Sequence, residues 1–248
     1  MSRVAVVTGG ASGIGLGVGR RLAADGHPVA VLDRNGQGAE AAAAELQAHG
    51  ATAALAIEVD VADRGSVDAA FGRVRAELGP VEILVTSAGI EAFTPLLDIT
   101  PDTWDRILAV NLTGTFACVQ AAVPDMIAAG WGRIVTISSS SAQSGAPNMA
   151  HYTASKGGVI ALTKSLAVEL ARNGVTANTV SPSLVDTPMA RQAEADGDFP
   201  GVDVIAPMVP LGRAGTPDDI AAACSLLCSD GGSYITGQVI GVNGGMYI

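Results

Sequence analysis

Tyr152 and Lys156 stand four positions apart in the run Tyr152-Thr153-Ala154-Ser155-Lys156, downstream of the serines Ser138-Ser139-Ser140-Ser141. On a helix, positions i and i+4 share a face, so a phenol and an ammonium project side by side. A neighbouring positive charge favours phenolate, and the Tyr152 phenol is expected to titrate below its ordinary value of about 10. Such a pair can give and take a proton in alcohol–carbonyl interconversion. The same spacing also describes an exposed tyrosine beside a solvated lysine, so the weight rests on what precedes it.

The chain opens with the apolar run Arg3-Val4-Ala5-Val6-Val7-Thr8, the pattern of a buried parallel strand. It breaks into Gly9-Gly10-Ala11-Ser12-Gly13-Ile14-Gly15 and continues as a helix with Leu16, Val18 and Leu22 on its apolar side. Strand, glycine turn and helix form the setting of a dinucleotide fingerprint. Small residues let the backbone approach a pyrophosphate, and free N–H groups with the helix dipole favour the anion. Taken alone, the glycines could equally serve a tight turn. The next strand, Pro28-Val29-Ala30-Val31-Leu32, ends in Asp33, 18 positions beyond Gly15, near the offset of about 20 for an acid that binds a ribose 2′-hydroxyl. A carboxylate there repels a 2′-phosphate and selects NAD over NADP. Arg34 is the contrary signal, since a guanidinium can meet a phosphate or stack on adenine.

Further along, strand patterns alternate with helical ones, as in a parallel doubly wound α/β sheet with helices on both faces. The spacing predicts helices over about 39–48, 66–78, 152–173 and 216–227, with strands at 53–59, 81–86, 133–138, 176–180 and 238–242. Thr100-Pro101-Asp102 marks a helix start, a threonine cap with proline in the first turn, leading to Trp104, Ile107, Leu108, Asn111 and Leu112. No linker or repeat divides residues 1–248, and one domain is expected.

Composition narrows the function classes. Hydrophobic residues make up 48% and charged residues 15%, a globular balance, while a net charge of −10 opposes phosphate-rich polymers and anionic membranes. Neither nucleic acid nor a membrane is an expected partner. No signal peptide and no apolar stretch of about 18 residues is read. Three cysteines, Cys118, Cys224 and Cys228, are odd in number and fit a reducing cytoplasm. Cys224 and Cys228 share a helix face without a second ligand pair, the pattern of core packing, and no metal site is assigned.

Over nearly its whole length the chain resembles the short-chain dehydrogenase/reductase family, a single Rossmann-type domain. The glycine motif T-G-x-x-x-G-x-G stands as Thr8-Gly9-Gly10-Ala11-Ser12-Gly13-Ile14-Gly15, Ser139 lies 13 positions before Tyr152, and the chain closes on Val242-Asn243-Gly244-Gly245. The resemblance implies dinucleotide contacts from Gly9, Ser12, Gly13, Ile14, Gly15, Asp33, Arg34, Asp60, Val61, Ser87, Ala88, Gly89, Pro182, Val185 and Thr187. It implies a catalytic set of Asn111, Ser139, Tyr152 and Lys156, the last two also touching the dinucleotide. In that scheme Tyr152 moves the proton and Lys156 lowers its pKa and binds ribose. Ser139 orients the substrate oxygen, and Asn111 holds a relay water. Ser139 is selected among four serines by spacing alone, and an asparagine within a helix can instead simply satisfy backbone. Two departures stand out: Thr86-Ser87-Ala88-Gly89 lacks both asparagines of N-N-A-G, and Pro182-Ser183 replaces Pro-Gly. Homotetramers built through the helices bearing Asn111 and Tyr152 are implied by the resemblance.

Residues 187–213 show no clean period, and a loop longer than about 15 residues within a compact domain usually carries function. The resemblance makes it a substrate lid, with an apolar roof and four acids, Glu194, Asp196, Asp198 and Asp203. Packing on a neighbouring subunit is the alternative. Glu91, Phe93, Ser141, Gln143, Ser144, Pro147, Met149 and His151 flank the chemistry in sequence. The expected substrate is an apolar or cyclic secondary alcohol or ketone, such as a cyclic alcohol, hydroxysteroid or diol, oxidised or reduced with NAD. A 3-oxoacyl-thioester reductase is the nearest rival, opposed by the acidic surface and Asp33. A non-catalytic NAD-binding sensor or scaffold is the rival from another class, opposed by the intact Ser–Tyr–Lys set.

Overall fold

Strand runs that are apolar on both faces require helices above and below, and that is how the chain folds. The computed structural model describes residues 2–248. Its strands are β1 (Val4–Thr8), β2 (Val29–Asp33), β3 (Ala54–Glu58), β4 (Val81–Thr86), β5 (Gly132–Ile137), β6 (Val175–Pro182) and β7 (Val239–Val242). They form one parallel sheet in the order β3-β2-β1-β4-β5-β6-β7. The chain winds outward from β1 to β3, then returns to lay β4 on the other side of β1. That reversal opens a crevice at the carboxyl ends of β1 and β4. The Rossmann-type doubly wound sheet read from the sequence is the one observed.

Side chains alternate along each strand. Val4, Val6, Ala30 and Leu32 enter one core, with α3 (Arg64–Glu77), α5 (Gly114–Ala129) and α7 (Ala150–Leu170), which follows the one-turn α6 (Ser141–Ser144). Ala5, Val7, Val29 and Val31 enter the other, with α1 (Gly13–Ala24), α2 (Gly36–Ala48) and α10 (Pro217–Cys228). Cys224 and Cys228 are buried in this second core, and Cys118 in the first.

Several boundaries differ from expectation for identifiable reasons. The α3 helix starts at Arg64 because the Asp63 carboxylate accepts from the N–H groups of Gly65 (2.8 Å) and Ser66 (3.3 Å). The α7 helix begins two residues before Tyr152 and gives way after Leu170 to a 3-10 turn, Ala171–Asn173. The helix bearing Asn111 is two helices, α4 (Pro101–Leu108) and α5, joined by a π turn over Ala109–Thr113. Residues 187–213 are not structureless. They carry α8 (Pro188–Ala195) and α9 (Val202–Ile205). Thr187 caps α8 by accepting from Ala190 N (3.2 Å), with proline in the first turn, as Thr100-Pro101 and Thr216-Pro217 start α4 and α10.

The expectation that no stretch of about 18 residues is apolar enough to cross a membrane is not met. The run Pro101–Ala129 is long and apolar enough to span a bilayer, with mean hydropathy 1.5 over 18 residues. In the fold 56% of that window is buried, and Val110, Ala117, Cys118, Val119, Ala122 and Met126 face the core. Its apolarity is accounted for by packing beneath β4 and β5.

Candidate active site

A cleft of about 660 Å³ lies over the crevice at the carboxyl ends of the strands. At one end is the glycine turn. Gly9 takes φ +65°, and a Cβ added at Gly15 would sit 2.1 Å from the Gly9 carbonyl oxygen. Only glycine permits so close an approach. Ser12 precedes α1 with extended backbone, its hydroxyl makes no capping bond, and no acid occupies the first turn. The leading N–H groups of α1 are thus left for an anion, and the bare cradle fits a pyrophosphate. At the tip of β2, the Asp33 carboxylate accepts from Ala11 N (3.1 Å) and Asn35 N (2.9 Å). Those two bonds fix its orientation and leave lone pairs on both oxygens for ribose hydroxyls. Arg34 is exposed beside it. Every residue assigned to the dinucleotide from sequence, Gly9 through Thr187, borders this cleft.

Ser139, Tyr152 and Lys156 border the same cleft. Ser139 follows β5 and is half-buried; its Oγ accepts from Ser141 Oγ (2.9 Å) and Ser141 N (3.2 Å). Lys156 is buried, with Nζ donating to Ile137 O at 2.9 Å and lying 5.8 Å from the centroid of the Tyr152 ring. Phenol and ammonium therefore share one face of α7, as their spacing requires. Their titration does not follow the expected direction. Burial, then the Glu91 carboxylate, raise the Tyr152 phenol well above its ordinary 10, with the Ser139 hydroxyl opposing. Burial also lowers Lys156 from 10.5 to about 8, opposed by Glu91. The expectation of an acidic phenol counts the lysine's charge and leaves out desolvation, which penalises both charged forms.

Asn111 is fully buried and does not border the cleft. It satisfies backbone, as one reading allowed, but that of a different segment. Its Oδ1 accepts from Ile90 N (2.9 Å) and its Nδ2 donates to Ile90 O (3.0 Å) and Ser155 Oγ (3.0 Å). Ser155 Oγ in turn donates to Tyr152 O at 2.7 Å. This chain of bonds ties the loop after β4 to the backbone of α7. The π turn, which widens the helix by one residue, carries Asn111 itself.

The two sequence departures are accommodated locally. Without asparagines after β4, the turn is held from β1: Ser87 N donates to Thr8 O and Ala88 N to Thr8 Oγ1, both at 3.2 Å. Ser183 Oγ donates to Asn243 O at 3.0 Å, binding the β6 exit to the C-terminal turn.

At the other end of the cleft are Glu91, Phe93, Ser141, Ser144 and Met149. Gln143, Pro147 and His151 are not among its walls; His151 is buried with both ring nitrogens unpartnered, and burial lowers its pKa. Phe93 stacks on Phe199 with centroids 6.3 Å apart and planes 12° apart. Residues 187–205 contribute Met189, Phe199 and Ile205 to the walls of the cleft. Arg106 and Met246 also border it and lie outside the residues read from sequence. Arg106 lies 3.7 Å from Asp60. Its place on α4 opposite β3 is set by tertiary packing, and Met246 arrives from the chain end without any motif signal.

The family described as enoyl-(acyl carrier protein) reductase matches residues 9–247. The 3-oxoacyl-(acyl-carrier-protein) reductase MabA of Mycobacterium tuberculosis is 41% identical over 246 residues, covering 99% of this chain and 93% of that protein. The D-threitol dehydrogenase of Mycolicibacterium smegmatis is also 41% identical, over 247 residues and the same shares. Among solved structures, a point variant of actinorhodin polyketide ketoreductase with NADPH superposes with a TM-score of 0.94 at 35% identity, covering 99% of this chain and 97% of that one.

Proposed function

The chain belongs to the short-chain dehydrogenase/reductase family, and from that premise we propose an NAD-preferring enzyme for secondary alcohols and their ketones, apolar or cyclic, or carrying a second hydroxyl. One observation carries the reading. Ser139, Tyr152 and Lys156 converge on the same cleft as the glycine cradle, with Asp33 oriented at its far end. A nicotinamide dinucleotide held there supplies a carbon that accepts or gives hydride. The residues of this chain do the rest. Ser139 Oγ holds the substrate oxygen and Tyr152 Oη donates or accepts its proton. Lys156, anchored on Ile137 O, presents its charge to the phenol and to the ribose. With the phenol raised by burial and by Glu91, Tyr152 keeps its proton at neutral pH, the form that protonates a ketone oxygen. Gly9, Ser12, Gly13, Ile14 and Gly15 receive the pyrophosphate, while Asp33 takes the adenosine ribose and opposes a 2′-phosphate. Residues 187–213 act as the lid that excludes water. Trp104, Phe116 and Val168 are apolar side chains left exposed on α4, α5 and α7, and they support assembly through those helices into a homotetramer.

Reduction of a 3-oxoacyl thioester is a second reading, supported by the similarity to MabA and to the polyketide ketoreductase. One experiment separates the two: absorbance of the reduced dinucleotide, followed with a panel of secondary alcohols, diols, ketones and a short 3-oxoacyl thioester, each with NAD(H) and NADP(H). The proposal expects NAD-linked turnover of alcohols or diols above that of the thioester. Preference for the thioester with NADPH would replace it by the second reading, and no turnover of any member would refute both.

A further inference from the structure

Among the described residues, Glu91 is the carboxylate bordering the cleft that has no hydrogen-bond or ion-pair partner. Asp33 and Asp60 also border it, but Asp33 accepts from Ala11 N and Asn35 N, and Asp60 accepts from Ala62 N (2.9 Å) and lies near Arg106. Glu91 is half-buried and makes no hydrogen bond or ion pair to any described residue, yet the loop that carries it is firmly held. The residue before it has both backbone groups clamped by Asn111. Beyond it, Phe93 stacks on Phe199, and Thr94 N donates to Asn148 O at 2.7 Å. The Glu91 carboxylate is half withdrawn from water, stands on a held loop and has no protein donor, so a donor on a molecule in the cleft can pair with it, and covering it without one would be destabilising. It borders the same cleft as Tyr152 and Lys156; burial raises its own pKa, opposed by the Lys156 charge, and its own charge raises both Tyr152 and Lys156.

Resting on the oxidoreductase reading above, we propose that Glu91 accepts a hydrogen bond from a second hydroxyl of the substrate, close to the reacting carbinol, so that the enzyme selects diols and related polyols over mono-alcohols and acyl thioesters. The surroundings agree. Phe93, Met149 and Phe199 give the substrate end apolar walls suited to a carbon skeleton, and Ser141 and Ser144 add hydroxyls. Asp198, which is exposed, adds a second negative field at Glu91, which disfavours a phosphate-bearing acyl carrier and is neutral toward a polyol. Asn111 fixes the backbone from which Glu91 projects, through its two bonds to Ile90.

The test compares a vicinal diol with the mono-alcohol of the same skeleton, such as cyclohexane-1,2-diol and cyclohexanol, for wild type, Glu91→Gln and Glu91→Leu. Reduced-dinucleotide fluorescence verifies that each protein still binds coenzyme. Wild type should favour the diol in kcat/KM. In Glu91→Leu the diol-to-mono-alcohol ratio should fall about 10- to 100-fold, the size expected for losing a hydrogen bond to a charged acceptor. Glu91→Gln, whose amide oxygen still accepts, should fall between, with the loss mainly in KM. An unchanged ratio, or equal loss on both substrates, overturns the proposal. Retained alcohol turnover with an unchanged ratio sinks Glu91's role alone, whereas no turnover of either alcohol by wild type sinks the oxidoreductase reading and this inference together.

Discussion

Replacing Lys156 by methionine should abolish turnover and, at neutral pH, make the protein more stable. Lys156 is 5% exposed, and its ammonium donates to the Ile137 carbonyl at 2.9 Å. Burial lowers its titration from the ordinary 10.5 to about 8, and at about 1.4 kcal/mol per pH unit, holding the charge destabilises the fold by roughly 3 kcal/mol. Methionine has similar length, no charge and enough flexibility to fill the space. It forfeits the bond to Ile137 O, and a carbonyl left unmatched costs about 1–2 kcal/mol. The difference favours the variant by roughly 1–2 kcal/mol, or about 3–6 °C in Tm for a domain of this size. The pH dependence supplies the sharper check. Because the folded value lies below the unfolded one, the unfolded chain holds more protons between about pH 8 and 10.5, and wild-type stability rises across that window. The penalty is fully present below about pH 8 and gone above 10.5. Thermal unfolding by circular dichroism, at matched concentrations and without dinucleotide, should show the variant ahead at pH 7 and level or behind at pH 10.5. A variant less stable at pH 7, or a gap that ignores pH, would refute the claim that Lys156 is held charged against a desolvation cost.

Tyr152→Phe removes the proton-carrying oxygen and keeps the ring, so kcat should fall by about 10²–10⁴-fold or more while NADH affinity by fluorescence titration stays near wild type; equal loss of both would make Tyr152 structural. Asp33→Ser takes away the charge that opposes a 2′-phosphate, and the NADP-to-NAD ratio of kcat/KM should rise about 10- to 100-fold; an unmoved ratio would show that Asp33 does not read the ribose. Arg191 ties Asp186 (2.8 Å), Glu194 (3.1 Å) and Asp203 (2.8 Å) together across α8 and α9. Arg191→Met should therefore quicken proteolytic cleavage within residues 187–213, as added salt should in wild type. Mass spectrometry of the fragments locates the cuts, and unchanged cleavage would mean that packing, not this ion-pair hub, holds the segment in place.

What can be read from sequence is what depends on neighbours along the chain. The turn from β1 into α1 is written in consecutive residues, and so are the acid at the end of β2 and the four-residue interval from Tyr152 to Lys156. The α8 helix is legible in principle: Thr187-Pro188 is the same start signal that locates α4 and α10. It escapes a reading by periodicity because α8 buries only Ala193, so no apolar period follows the cap. The titration of Tyr152 departs from expectation for a deeper reason. The charge of Lys156 is visible in sequence, but the withdrawal of water from both groups is not, nor is the arrival of Glu91 from the loop after β4.

Asn111 shows why that loop matters. An amide inside a helix usually competes for its own backbone, and the sequence offers no sign that this one serves another segment. The π turn shifts the helix by one residue at Asn111, and its two amide atoms then close on both backbone groups of Ile90 while Nδ2 also reaches Ser155. Ser155 passes the connection to the carbonyl of Tyr152. The backbone at Tyr152 on α7 and the backbone just before Glu91 are thereby tied to one buried side chain. A proton-transfer group and a substrate-reading group need a fixed mutual geometry if only one hydroxyl of a diol is to be presented to the chemistry. On the proposed reading, Asn111 contributes to that geometry from behind the wall of the cleft, by holding the backbones that carry the two groups.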